Sequence, residues 1–293
     1  MKIGGRMLTR RRFLEFVGTM AAVAILGCAG REEVTPTPTT AVTPTPTPTP
    51  TPQQAPELPW PYVKLDVEKT RRLGYLGYHN GLHCAAGAFY AIVSQLQEKV
   101  GYPWTQIPVE MYHYGAGGVT GWAVLCGALN GAGGAINLAA GKDAKKIVNE
   151  LMGWYTEFPF PSDESNSYRD YGIGELPKSV SGSTLCHVSV TRWCEVSGYA
   201  SGSKERSERC ARLAGDVAAK AVELLNAWKD GKFEPTYKLP DETQSCRNCH
   251  YKGKDFAAGQ FTRGKMNCLN CHVSHPIPPE STRIRSILNQ TKT

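Results

Sequence analysis

Two Cys-x-x-Cys-His pentads near the end of the chain, at 246–250 and 268–272, limit most strongly how it can fold. This spacing is typical of covalent haem c attachment, in which both thiols bond to the haem and the histidine ligates the iron. Residues 240–293 contain few large apolar side chains, so haem has to supply their core. We therefore predict a small irregular dihaem cytochrome c domain there, with two haem c groups attached at Cys246, Cys249, Cys268 and Cys271 and held by His250 and His272.

The same four cysteines also fit a zinc ribbon. The two Cys-x-x-Cys pairs are separated by 18 residues, a spacing that suits tetrahedral zinc. A zinc ribbon does not need a histidine directly after each pair, however. Haem c attachment takes place outside the cytoplasm, and the N-terminal segment indicates export. Both features favour haem over zinc.

Residues 1–27 have the organisation of a cleaved signal peptide. Residues 9–15, Thr-Arg-Arg-Arg-Phe-Leu-Glu, resemble the twin-arginine consensus, and the apolar stretch at 16–26 is too short for a comfortable membrane span. Residues 25–28, Ile-Leu-Gly-Cys, resemble a lipobox in which Cys28 is lipidated; ordinary peptidase cleavage nearby is the alternative. We expect an exported protein that is lipid-anchored at the outer face of the cytoplasmic membrane.

The charge of the chain is concentrated in this signal segment. Residues 1–27 account for +4 of the net charge of +7, which leaves +3 for residues 28–293. Nucleic-acid binding requires a clustered basic surface, which this chain lacks, and we expect no nucleic-acid partner. Twin-arginine export carries proteins that are already folded, often around a cofactor. Because haem c is attached only after export, this signal indicates a second prosthetic group.

A linker and a helical domain lie between the signal and the haem motifs. Within residues 28–59, the Thr-Pro repeat at 35–52 predicts an extended spacer of about 3.1 Å per residue. Residues 60–239 are long enough for a domain with its own core. Apolar periodicity predicts helices over 82–100, 119–140 and 203–228, and strand-like alternation is scarce. The fold class is therefore mainly α, a helical cysteine-rich domain followed by the dihaem domain.

Five further cysteines are available in the helical domain: Cys84, Cys126, Cys186, Cys194 and Cys210. In an exported protein they suit two disulfides with one thiol left over. They also suit an iron–sulfur cluster with ligands from different helices. The glycine-rich run at 115–120 lacks the third glycine of a dinucleotide-binding motif, so close helix packing explains it better.

The cysteine pattern resembles a known family. Residues 82–87 (Leu-His-Cys-Ala-Ala-Gly), residues 126–131 (Cys-Gly-Ala-Leu-Asn-Gly), Cys186 or Cys194, and Cys210 are similar to the redox proteins named for a Gly-Cys-Ala-x-x-Gly motif. With two haem motifs appended, the arrangement resembles the split-Soret cytochromes c. This resemblance implies a homodimer with stacked haems, bis-histidine iron, one axial ligand from the other subunit and an iron–sulfur centre. It favours a [2Fe-2S] cluster over disulfides.

The distal haem ligands are less defined by the sequence. The histidines outside the pentads are His79, His83, His113, His187 and His275. His275 follows His272 too closely to reach the opposite face of the same haem, but it suits a neighbouring haem. His79 and His83 are one helical turn apart, and one of them is our choice for the other ligand, ahead of His113 and His187. This histidine supply makes ligation by Met266 unnecessary.

These features together indicate electron transfer. We expect a non-enzymatic dihaem cytochrome whose partners are redox proteins or quinol-linked enzymes. A haem-dependent reductase of a small oxyanion is the main alternative, and it would need an iron without a distal histidine. A disulfide-stabilised haem protein without a cluster is a second alternative, and a haem-based sensor would need a signalling domain that is not visible.

Overall fold

The structure is a computed structural model that describes residues 56–273, together with the backbone of Lys2–Ile3 and Arg6–Met7. The chain divides into two units, Met1–Gln53 and Gln54–Thr293. In the first unit, β1 (Lys2–Ile3) pairs antiparallel with β2 (Arg6–Met7). The predicted twin-arginine motif, the lipidated Cys28, the Thr-Pro linker and the ligand His275 lie outside the described residues.

The second unit is mainly helical. Its helices in chain order are α1 (Val67–Gly77), α2 (His83–Lys99), α3 (Gly127–Ala140), α4 (Ala144–Glu157), α5 (Asp163–Asn166), α6 (Cys186–Ser197), α7 (Lys204–Lys229) and α8 (Asp241–His250). A π-helical turn, Tyr78–Leu82, joins α1 to α2. Short 3-10 turns lie at Trp104–Gln106, Val109–Gly115, Gly141–Asp143 and Cys268–Asn270. β3 (Pro159–Phe160) pairs antiparallel with β4 (Ser179–Val180).

The long helix α7 is the centre of this fold, and α1, α2, α3 and α4 all pack against it. Its start is fixed by Ser203, whose hydroxyl accepts from the Arg206 N–H at 3.1 Å. Fully buried apolar side chains from the surrounding helices, such as Phe89, Leu129 and Leu151, form a single core with Val217 of α7. Such burial of apolar surface is the main stabilising term for the bundle.

Two of the three predicted helices are confirmed, α2 and α7 to within a residue or two of the expected ends. The prediction of a helix over 119–140 is wrong in its first part, because α3 begins only at Gly127. Val119, Thr120 and Ala123 have positive φ angles of 68°, 46° and 56°, which no α-helix allows. Residues 124–126 are instead extended and pair with residues 184–186.

The segment that carries the pentads folds against the helical bundle through polar contacts. Arg192 of α6 donates to the Asn270 side chain at 2.7 Å, and the Asn270 amide donates to the Gly182 carbonyl at 2.9 Å. Just before α8, Glu150 accepts from the backbone N–H groups of Thr236 and Tyr237 at 3.0 and 2.9 Å. Within residues 56–273, no helix is long and apolar enough to cross a membrane.

Candidate functional site

Four of the five cysteines of the helical unit come from four different helical elements and face one another. Cys84 is in the first turn of α2, Cys126 directly precedes α3, Cys186 opens α6, and Cys210 lies in the second turn of α7. We call this group the four-thiol site. All six pairs among its members are close enough that a negative charge on one raises the pKa of another.

Backbone pairing fixes the positions of Cys126 and Cys186. The Cys126 N–H donates to the Thr184 carbonyl at 2.9 Å, and the Cys186 N–H donates to the Val124 carbonyl at 2.7 Å. These bonds form an isolated antiparallel bridge centred on Leu125 and Leu185. Helices α3 and α6 therefore begin side by side, and Cys126 and Cys186 lie close together at their N-termini.

The surroundings of Cys126 stabilise negative charge on its sulfur. Backbone N–H groups of Ala128 and Leu129, in the first turn of α3, donate to it, and the Tyr155 hydroxyl is hydrogen-bonded to it. The N-terminus of a helix also carries a partial positive charge. Burial outweighs these contributions and raises the pKa of the Cys126 thiol in the absence of a metal.

Cys84 and Cys186 are also held as protonated thiols when no metal is bound. Burial, followed by the neighbouring cysteines, raises the pKa of Cys84 to about 12, while the Gly117 N–H opposes this rise. Burial and the charges at Cys126 and Cys210 likewise raise the pKa of Cys186 to about 12, and Arg209 and Arg206 oppose it. Clustered thiols of this kind gain most from a cation that neutralises several sulfurs together.

The packing leaves space at the sulfurs that a small residue preserves. A Cβ atom on Gly127 would lie 2.4 Å from Cys84 Sγ and 2.7 Å from the Gly115 carbonyl oxygen. Among the described residues, no three His, Cys, Asp or Glu side chains approach closely enough to hold one metal ion. Four cysteine thiols are a donor set that an iron–sulfur cluster can use.

Cys194 lies apart from this group. It is on α6, eight residues after Cys186, which corresponds to about 12 Å along the helix axis. Of Cys186 and Cys194, Cys186 is therefore the one that lies beside the other three thiols. The five cysteines of the helical unit form no disulfide bonds with the described residues.

The two pentads lie next to each other in the segment 241–273, which we call the haem segment. Cys246, Cys249 and His250 all lie on α8, with the two cysteines three residues apart on one face of the helix. The second pentad begins with the 3-10 turn Cys268–Asn270. Burial and a hydrogen bond with Cys246 raise the pKa of the Cys268 thiol, so the first cysteines of the two pentads are in contact.

A backbone carbonyl orients the histidine of the first pentad. His250 Nδ1 is 2.9 Å from the Gly259 carbonyl oxygen, and a donor at Nδ1 selects the tautomer in which Nε2 carries the lone pair. Large apolar side chains of the same segment are exposed: Phe256 is 80 % exposed, Phe261 65 % and Val273 90 %. Such exposure is unusual for a folded segment and fits a surface that haem would cover.

The structure separates the two candidate histidines at the start of α2. His79 Nε2 lies 2.9 Å from the buried Glu208 carboxylate, and its ring stacks on Tyr171 at 3.6 Å. Burial lowers the pKa of His79, although Glu208 opposes this. His83 is exposed. Its backbone φ of 54° is an angle that residues other than glycine rarely adopt. His113 and His187 are also exposed, in the 3-10 turn Val109–Gly115 and in α6.

Comparison with known proteins agrees with this geometry. A family model of the cysteine pattern C_GCAxxG_C_C, whose members are described as redox-active proteins, matches residues 82–224. The chain is 40% identical over 222 residues to the split-Soret cytochrome c of Desulfovibrio desulfuricans (strain ATCC 27774). The aligned region covers 73% of this chain and 77% of the relative.

The chain belongs to the split-Soret cytochrome c family. A solved structure of a family member, titled as showing a novel iron centre in the split-Soret cytochrome c from Desulfovibrio desulfuricans ATCC 27774, superposes with a TM-score of 0.65 at 38% identity. The match covers 74% of this chain and 91% of the family member. The mainly α fold and the family resemblance are therefore confirmed, and the chain is a redox-active cytochrome.

Three residues at the four-thiol site were not predicted from the sequence. Tyr155 reaches it from the last turn of α4 and Arg209 from the second turn of α7, and Gly117 reaches it through its backbone. One signal was available: α7 places Glu208, Arg209, Arg212 and Asp216 among small and apolar residues, and all four are buried. Charges at buried helical positions mark places where a partner has to be found.

Proposed function

We propose that this protein is an exported, membrane-tethered electron-transfer cytochrome with two haem c groups and a [2Fe-2S] cluster. The observation that carries the proposal is the presence of two separate donor sets in one chain, the four-thiol site and the paired pentads. The haem groups and the cluster would supply the one-electron redox chemistry. The residues of the chain hold these groups, exclude water and set their potentials.

At the cluster, Cys84, Cys126, Cys186 and Cys210 would be the ligands. Their sulfurs come from helices that share one core, so their spacing is set by the bundle rather than by a flexible loop. The N–H groups of Gly117, Ala128 and Leu129 donate to Cys84 and Cys126 sulfurs, and such hydrogen bonds raise the potential of an iron–sulfur centre.

At the haems, His250 and His272 would be proximal ligands, with the thiols of their pentads attached to the porphyrin. We propose His83 rather than His79 as a distal ligand. His79 Nε2, the nitrogen that most often binds haem iron, is held by Glu208, whereas His83 presents its ring to solvent. An exposed ligand on α2 fits a haem contributed by a second copy of the chain, as in the homodimer that the resemblance implies.

Spectroscopy on the exported, anaerobically purified protein tests this function. A pyridine haemochrome assay should give two covalent haems per chain, and both irons should be low-spin. Electron paramagnetic resonance after reduction should add the signal of a [2Fe-2S] cluster. Stoichiometric zinc without haem would overturn the haem assignment. A high-spin haem that binds carbon monoxide would favour the oxyanion reductase instead.

A further inference from the structure

Arg209 places a guanidinium group beside the four-thiol site without an acidic partner. Its side chain is 1% exposed, and its Nη2 donates to Ser189 Oγ at 3.0 Å. Its Nε is buried without a hydrogen-bond partner, and within residues 56–273 no carboxylate forms an ion pair with it. A buried cation without a counter-charge is strongly destabilising, so this arrangement needs a compensating anion.

The other fully buried cation on the same helix, Arg212, has a carboxylate partner. Arg212 Nε pairs with the Glu208 carboxylate at 2.8 Å. Nearby, Arg71 pairs with the buried Asp216 at 2.7 Å. The helical bundle therefore supplies a carboxylate to these two arginines and none to Arg209, which lies next to Cys210 in the chain.

A continuous set of buried groups joins Arg209 to the sulfurs. Ser189 Oγ accepts from Arg209 and lies 3.0 Å from the Tyr155 hydroxyl oxygen. That hydroxyl is in turn hydrogen-bonded to Cys126. Arg209 also lies close enough to Cys186 for its positive charge to act on that sulfur. The groups that could supply the compensating negative charge, when they are deprotonated, are therefore the sulfurs of the four-thiol site.

We propose that Arg209 is the buried counter-cation of the centre held by Cys84, Cys126, Cys186 and Cys210, and that it sets the reduction potential of that centre. This inference rests on the proposed cluster. A thiolate-ligated cluster is anionic, and reduction makes it more negative. A fixed cation at short range therefore stabilises the reduced state more than the oxidised state and raises the potential.

Arg206 provides an internal comparison. It lies one turn before Arg209 on α7, and its side chain is hydrogen-bonded to Cys210. Arg206 is only half-buried, and its Nε donates to the Ser201 carbonyl. Solvent screens a partly exposed charge more than a buried one. The contribution of Arg206 to the potential should therefore have the same sign as that of Arg209 and be smaller.

Redox titration followed by electron paramagnetic resonance tests the proposal on holoprotein. Arg209→Gln should lower the potential of the cluster, Arg209→Lys should restore most of it, and Arg206→Gln should give a smaller decrease. Loss of cluster iron in Arg209→Gln with retention in Arg209→Lys would also support the proposal. A wild-type cluster potential in folded Arg209→Gln would overturn it while leaving the cluster assignment intact.

A second measurement does not depend on the cluster. In protein freed of cluster iron, alkylation of Cys186 by iodoacetamide, followed by peptide mass spectrometry, should be slower in Arg209→Gln, because a nearby cation favours the reactive thiolate. Equal rates in wild type and Arg209→Gln would overturn the electrostatic role of Arg209. Wild-type protein without any non-haem iron would instead overturn the cluster, and slower alkylation would then still identify Arg209 as the thiolate counter-cation.

Discussion

The four-thiol site and the haem segment differ in how much of each is formed by the polypeptide alone. The thiols are positioned by helices that share a continuous core, and backbone bonds fix Cys126 and Cys186. The haem segment has little core, and Phe256, Phe261 and Val273 are largely exposed. In the first region the fold positions the thiols, whereas in the second the proposed haems would complete the fold. The two regions should therefore respond differently to the same kinds of perturbation.

The largest effect should follow from removing one attachment site. Cys246→Ala with Cys249→Ala should eliminate one covalent haem, leaving about half of the haem found in wild type, because both thioethers are lost. We also expect the haem segment to become sensitive to limited proteolysis while the helical unit remains resistant. Haem per chain and the mapped cleavage sites measure this. Retention of both haems, or cleavage throughout the helical unit, would contradict the distinction between the regions.

The four-thiol site should be sensitive to a single methyl group. Gly127→Ala would place a Cβ atom 2.4 Å from Cys84 Sγ, so helix α3 or the thiol has to move. We expect a loss of non-haem iron and a destabilisation of about 1–3 kcal/mol, the usual cost of overpacking. Iron analysis and thermal unfolding are the measurements.

Gly133→Ala is the matched control on the same helix. A Cβ atom there would meet only Val148, at an ordinary 4.0 Å. This variant should keep its iron, and better helix propensity should make it up to about 1 kcal/mol more stable. If Gly127→Ala behaves like Gly133→Ala, the close approach of α3 to Cys84 has no functional role.

Acidic pH should affect the cofactors of the two regions differently. Burial and neighbouring cysteines raise the pKa values of Cys84 and Cys186 to about 12, so both thiols are protonated at neutral pH unless a metal displaces their protons. Metal binding thus gains strength as the pH rises and loses it as the pH falls. Acidification should release cluster iron and sulfide, whereas the thioether-bound haems remain with the chain. Equal retention of both kinds of iron would contradict this.

A smaller effect is expected at the proximal histidine. Gly259 has a φ of +80°, and a Cβ atom on it would lie 3.0 Å from His250 Nδ1. Gly259→Ala should weaken the hydrogen bond that orients His250 and shift the potential of one haem, with the other haem and the cluster unchanged. Optical redox titration resolves this. Gly264→Ala, in the same segment with open surroundings, is the control.

The haem segment could be read from the sequence because its chemistry is local. All the residues of a pentad lie within five consecutive positions, so no knowledge of the fold is needed to find them. The helices α2 and α7 were predictable for a related reason, since their apolar periodicity is regular. Their start signals are also local, as the capping role of Ser203 illustrates.

The four-thiol site could be predicted only in part. Composition and resemblance identified five candidate cysteines but left Cys186 and Cys194 as alternatives, because both lie on one helix. The choice depends on the pairing of residues 124–126 with 184–186, a contact between segments about 60 positions apart that no local pattern encodes. The same pairing is why the helix predicted over 119–140 begins only at Gly127. Arg209 was missed because its role depends on three other helices.

One measurement tests the central claim most directly: non-haem iron and acid-labile sulfide per chain in anaerobically purified wild type, Cys186→Ser and Cys194→Ser. The two substitutions have the same chemistry on the same helix, but only Cys186 faces the other thiols. We predict iron in excess of haem, with sulfide, in wild type and Cys194→Ser, and a loss of both in Cys186→Ser with haem unchanged. Iron equal to haem in wild type, or equal losses in the two variants, would contradict the account.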